Sequence, residues 1–109
     1  DAQVARQWDP QIAAVYYKQM MSYGKHHLQA VCACATHLLD RIYVVLRENR
    51  PYELRDVDGT PVDKHLARQI CLERYRVPDE VRRRNNHRVR KERRERKVER
   101  RLNRRKKKK

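Results

Sequence analysis

Apolar residues recur along the first half of the chain at helical spacing. Ile12, Val15, Tyr16, Gln19 and Met20 stand at intervals of three and four, a stripe that predicts a helix. Asp9 is placed to cap its start, Pro10 suits its first turn, and Gly24 suits the position just past its end. A longer pattern follows from about His26 to Arg47. Leu28, Val31, Cys32, Ala35, Leu38, Leu39, Ile42, Val45 and Leu46 keep a 3.6-residue period and read as the face turned to a core. The short connection between the two predicts an antiparallel αα-hairpin over residues 1–50. Residues before Asp9 read as the tail of an earlier element.

Pro51 ends the hairpin. Tyr52 to Thr60, with the turn dipeptide Asp58-Gly59, predicts an extended loop or a minimal β-hairpin. Thr60-Pro61-Val62-Asp63 reads as a helix start, with Thr60 as N-cap and Asp63 completing a capping box. The third helix then spans about Pro61 to Tyr75, with Val62, Leu66, Ile70 and Cys71 inward, and Pro78 stops it. The expected fold class is all-α: a helical hairpin, a loop plus third helix over 51–81, and a C-terminal arm over 82–109.

Charge separates the arm from the body. The chain carries 29 Lys+Arg against 14 Asp+Glu, a net charge of +15. Residues 1–81 hold 11 basic and 11 acidic side chains, so the arm, with 18 cations and only Glu92, Glu95 and Glu99, carries the whole excess. Asp79 is placed to cap the arm. Its Arg, Lys and Glu content favours helix once neutralised, but self-repulsion is expected to leave it largely disordered when free. The body, about 80 residues, is small enough that its core is marginal, and it is expected to lean on partner surface. The start at Asp1, without Met or a signal segment, reads as a fragment or a cleaved product.

Several chemistries are poorly served. Cys32, Cys34 and Cys71 lack zinc-site spacing and read as buried core thiols in a reducing cytosol; Cys34 with His37 finds no second ligand pair. Ser22, the one serine, has no positioned base beyond His26 or His27, and the two glycines are too far apart for a phosphate loop. No catalytic residue and no metal ligand is expected. The best membrane candidate, Leu28 to Leu46, is interrupted by His37, Asp40 and Arg41, so no membrane association is expected.

An ordered series of short motifs runs through the body: Asp9-Pro10, Tyr16-Tyr17, Gly24-Lys25-His26-His27, the helix Ala30 to Leu39, Arg41 to Arg47, and Pro51-Tyr52. Over about residues 1–55 this series resembles the C-terminal end of insertion-sequence transposases of the one-ten family, which join a RuvC-like DEDD domain to a serine-bearing C-terminal domain. Gly24, Lys25 and His27 match that family's Gly-Lys-x-His positions. Residues 54–84 resemble an extension seen in some members. The resemblance implies DNA transposition in a homo-oligomeric, nucleoid-associated cytoplasmic assembly guided by a bridge RNA. It also implies that the acidic residues for a divalent metal such as Mg, and the catalytic serine, lie outside this segment, leaving it inactive alone and without a cofactor of its own.

The expected nucleic-acid contacts are Arg82, Arg83, Arg84, Arg88, Arg90, Lys91, Arg93, Arg94, Arg96, Lys97, Arg100, Arg101, Arg104, Arg105, Lys106, Lys107, Lys108 and Lys109. Lys25 and His27 are weaker candidates, since a polar inter-helix turn accounts for them equally well. Tyr16, Tyr17 and Tyr43 read as core or interface aromatics more readily than as stacking platforms. An aromatic-free, Arg-rich run predicts grip on the phosphate backbone of DNA or guide RNA rather than base readout. A stand-alone nucleic-acid-binding protein, or an interaction hairpin whose tail serves as an address, fits the same composition.

Overall fold

The structure, a computed structural model, describes residues 1–108 and is all-α. Its elements are α1 (Ala2–Trp8), α2 (Pro10–Tyr17) continuing into a π-helical turn (Lys18–Ser22), α3 (His27–Glu48), α4 (Lys64–Arg74) and α5 (Asp79–Lys107). Among the described residues there is no strand, only an isolated antiparallel bridge between Arg55 and Pro61.

Asp9 caps α2 as expected, its carboxylate accepting from the Gln11 amide at 3.0 Å, with Pro10 in the first turn. The residues before it form a helix of their own, capped by Asp1, and Ala2 is buried in the core. That core gathers Ile12, Tyr16 and Met20 from α2 and the π turn with Ala30 and Cys34 from α3. Burial of side chains such as Ile12 and Met20 contributes about 1.5–3 kcal/mol each. Contacts between α2 and α3 run in opposite chain directions: Tyr16 meets His27, Ile12 meets Cys34, and Asp9 meets Arg41.

The third helix starts later than expected. Asp63 caps α4, accepting from the Leu66 amide at 2.7 Å, and Thr60 does not. The cause lies in the preceding turn: Asp56 N bonds Thr60 O at 2.9 Å and Val62 N bonds Leu54 O at 3.0 Å, which holds Pro61 and Val62 extended. Ile70 and Cys71 are buried as expected, together with Ala67, whereas Leu66 is exposed.

The apolar pattern of α3 is covered only in part, with Val31, Ala35 and Leu38 packed against the core as half-buried side chains. Only Ala30 and Cys34 are fully buried on this helix; Leu28, Leu39, Ile42 and Leu46 are exposed, and so is Cys32, expected as a core thiol. The body is too small to cover both sides of a helix of 22 residues, and the side carrying the small residues Ala30 and Cys34 allows α2 to approach closely. By length and composition α3 is long and apolar enough to cross a membrane, despite the three interrupting polar residues.

Candidate nucleic-acid interface

The basic arm is continuous with the body rather than appended to it. α5 begins at Asp79 behind Pro78, which caps it without a side-chain bond; Asp79 lies inside the first turn and pairs with Arg82 at 2.8 Å. Val81, Asn85 and Val89 follow at intervals of four, and Asn85 and Val89 are buried. The first three turns therefore belong to the folded unit. From Arg90 onward every described side chain of α5 is exposed, and the molecule measures 63 × 34 × 20 Å.

Docking of α5 rests on the irregular joint between α2 and α3. Within the π turn and beyond it, backbone pairing shifts to Tyr23 N with Lys18 O (3.2 Å) and Lys25 N with Gln19 O (3.0 Å). Asn85 Nδ2 donates into this joint, to Met20 O at 2.8 Å and Lys25 O at 3.2 Å. Its neighbour Asn86 accepts the His27 amide at 3.0 Å, satisfying one of the free N–H groups at the start of α3. Gly24 adopts φ 62°, and the Arg88 guanidinium donates to its carbonyl where a Cβ would stand. Asn85 and Asn86 went unread in the sequence, although an uncharged pair inside an Arg run, set in a Val-Asn-Val stripe, was the available signal.

His27 is held by this joint. Its Nδ1 lies 2.7 Å from the Tyr16 hydroxyl, and burial, then Arg6, Arg82 and His26, lower its pKa. Burial raises the pKa of Tyr16, so the phenol donates and the neutral imidazole accepts. His26 caps α3 through Nδ1, which accepts from Gln29 N at 3.2 Å, while Arg93 lies 3.0 Å from its Nε2. A neutral imidazole that accepts at Nδ1 carries its proton on Nε2, facing another donor. The cap and the Arg93 contact are therefore alternatives.

Lys25 is exposed, and the start of α3 opens onto a recess of 180 Å³ lined by His26, His27, Leu28, Asn86, Arg90 and Arg93. Lys25, Arg90 and Arg93 thus lie around a helix N-terminus, where backbone N–H groups already favour anions. Tyr16 is buried, Tyr17 packs edge-on to Tyr75, and Tyr43 is exposed under Arg47.

Along α5 from Arg90 onward the acids are confined to one face, which they share with cations such as Arg96. Glu92, Glu95 and Glu99 stand at i, i+3 and i+7, a single stripe. At 100° per residue the opposite side carries Arg90, Arg93, Arg94, Lys97, Arg101 and Arg104. Among the described residues no cation from Arg90 onward is ion-paired within the chain, the α5 pairs being Arg82–Asp79 and Arg88–Glu92. Lys109 lies outside the described residues.

A separate cleft of 250 Å³ lies between α2, the end of α3 and the Tyr52 loop, lined by Gln11, Asp40, Arg41, Val45, Arg50 and Tyr52. Its polar groups engage one another: Arg41 reaches Asp9 and Gln11, and the Tyr52 hydroxyl donates to Asp9. Burial, then the Asp9 contact, push the Tyr52 phenol up to about 12. Cys34 and Cys71 are buried with thiols pushed up to about 11, too high for a nucleophile. Among the described residues no three His, Cys, Asp or Glu side chains are grouped to hold a metal ion.

Comparison with protein-family models, with curated proteins and with solved structures finds no match for this chain.

Proposed function

We propose that this chain grips nucleic-acid backbone through one face of α5 and the adjoining start of α3. On the resemblance of residues 1–55, we further propose that it does so as the C-terminal end of a one-ten family transposase. It supplies assembly and affinity to cutting and joining of DNA on the nucleoid, guided by RNA, while the chemistry resides elsewhere in the parent protein.

The carrying observation is that the acids of α5 beyond Arg90 are confined to one face, which leaves the opposite face purely cationic. A merely solvated helix gains nothing by keeping its three acids on one side, but a helix laid against phosphates does. Among the described residues, the cations opposite them make no ion pair within the chain, so none is broken on binding. Arg93, Arg90 and Lys25 extend the same positive surface onto the α3 N-terminus. The motif residues behind the family resemblance also have physical work at the joints: Asp9 caps and pairs, Gly24 turns the chain, and His27 accepts from Tyr16.

Binding is tested on duplex DNA and on structured RNA with the full chain and a truncation after Arg93, which keeps the docked turns and removes 11 of the 18 arm cations. With six to ten phosphate contacts, log affinity for duplex DNA falls against log salt with a slope of about −5 to −9, and the truncation loses most of it. A flat salt response, or unchanged affinity after truncation, overturns the binding assignment. The transposase assignment is tested on the neighbouring DNA: a DEDD-type coding region directly upstream and a structured non-coding RNA beside it are expected. A separate gene with neither feature overturns it and leaves a stand-alone binder.

A further inference from the structure

We propose that the outward face of α3 is a self-association seam, occupied by the same face of a second copy of this chain. The observation is a register. Leu28, Cys32, Ala35, Leu39, Ile42 and Leu46 stand at alternating intervals of four and three, so they form one line along the helix. That is the 3.5-residue repeat by which two helices pack knobs into holes at a shallow crossing angle. Leu28, Cys32, Leu39, Ile42 and Leu46 of this line are exposed, while Ala35 packs at its edge against the core and Ala30 and Cys34 occupy the buried side.

No residue of the line itself is charged. The positions flanking it on one side are Val31, Leu38 and Val45, and on the other Gln29, Thr36 and Tyr43. His37, Asp40 and Arg41 stand elsewhere on the circumference, Arg41 is tied to Asp9, and Arg47 borders the line with its guanidinium over the Tyr43 ring. A line without charges asks for no complementary charges, and its best match is its own copy in an isologous pair.

Area favours the same occupant. Leu28, Leu39, Ile42, Tyr43 and Leu46 are 68%, 65%, 41%, 62% and 75% exposed. Together they leave roughly 600 Å² of surface per chain, at the top of what a monomer's largest patch shows. Two copies would bury roughly 1,200 Å², the lower edge of the class of specific interfaces. Spanning a bilayer would instead require α3 to leave Ile12 and Tyr16 and to strip Arg41 from a buried carboxylate.

Sedimentation equilibrium on the nuclease-treated full chain at high salt, where the arms cannot be bridged by nucleic acid, reads this directly. The wild type is expected to approach twice the monomer mass with rising concentration. Leu39→Glu/Leu46→Glu is expected to stay monomeric with its circular dichroism unchanged, because both side chains are already exposed. Leu72→Glu, an exposed apolar residue on α4, is expected to dimerise as the wild type does. A wild type that stays monomeric overturns the proposal, as does a double variant that still dimerises. Flotation of monomeric wild-type chain with phosphatidylcholine–phosphatidylglycerol vesicles, lost in the double variant, overturns it in favour of a membrane.

Discussion

Arg41 donates to the carboxylate of Asp9 at 2.7 Å across 32 residues of chain, and Asp9 is 2% exposed. This pair fixes the start of α2 to the middle of α3, and the Tyr52 hydroxyl closes the same carboxylate from the loop beyond Pro51. Removing one partner of a buried ion pair leaves the other charge uncompensated. Arg41→Met is therefore expected to destabilise the chain by about 2–4 kcal/mol, somewhat less than for a carboxylate with no other donor, because the Gln11 amide and Tyr52 remain. Tyr52→Phe removes one donor only and is expected to cost about 1 kcal/mol. Urea unfolding of the two variants ranks them.

Asn85 sets the mechanical coupling between arm and body. It is buried and serves two carbonyls of the joint, so Asn85→Ala leaves Met20 O and Lys25 O without that donor. The expected loss is about 1–3 kcal/mol. Asn86→Ala, half-buried with one bond to the His27 amide, is expected to cost less. Hydrogen exchange separates them: Asn85→Ala raises exchange both in the first turns of α5 and at residues 20–27, whereas equal exchange in the two variants would refute the coupling.

Gly24→Ala tests the turn. Its left-handed φ of 62° strains any L side chain, and the new Cβ meets the Arg88 guanidinium. That guanidinium is the far end of a flexible side chain and can withdraw, so backbone strain dominates, about 1–2 kcal/mol. Gly24→Asn is expected to cost less, because Asn tolerates this region better. Thermal unfolding of both variants checks the order.

How much of this was legible in the sequence divides along a physical line. Local rules placed Asp9-Pro10, the turn at Gly24 and the run of α3, because caps and periodicity depend on near neighbours. Thr60 failed as a cap because bonds to Asp56 and Leu54 compete for the same backbone, a contact between segments that propensity does not report. The core face of α3 was legible only in part, since Val31, Ala35 and Leu38 pack against the core whereas Leu28, Leu39, Ile42 and Leu46 are exposed. Periodicity identifies apolar stripes, but it does not say which of two sides the body covers, and a short chain covered the one with Ala30 and Cys34. On the arm, counting cations was sufficient to propose phosphate binding. The docking by Asn85 and Asn86, and the one-sided acids, became visible only once the helix had a register.

His27 makes stability depend on pH in a predictable direction. Its pKa is lowered in the folded chain from 6.5, so the unfolded chain binds more protons over the interval below that value. The contribution is full above pH 6.5 and is lost as pH falls. Protonation also fills Nδ1, which then no longer accepts from Tyr16. The melting temperature of the wild type is expected to fall between about pH 7 and pH 5 more steeply than that of His27→Gln. Parallel curves for the two proteins would remove His27 as the source of the pH dependence.

The sharpest test of the arm keeps the size of the charge change fixed and moves its position. Arg93→Gln/Lys97→Gln/Arg101→Gln removes three charges from the cationic face; Glu92→Gln/Glu95→Gln/Glu99→Gln removes three from the opposite one. If α5 were only a diffuse positive cloud, the two triple variants would shift affinity by similar factors in opposite directions. If its cationic face meets phosphate, the first variant engages fewer phosphates, while the second is relieved only of a screened repulsion across the helix. The slope of log affinity for duplex DNA against log salt is then expected to become shallower by about 2.7 in the first variant, or about 0.9 for each phosphate no longer neutralised. In the second it is expected to stay within about 0.5 of the wild type, because counterion release counts phosphates engaged rather than net charge. Circular dichroism with the DNA present confirms that α5 is helical in both, so that any difference is one of face and not of folding.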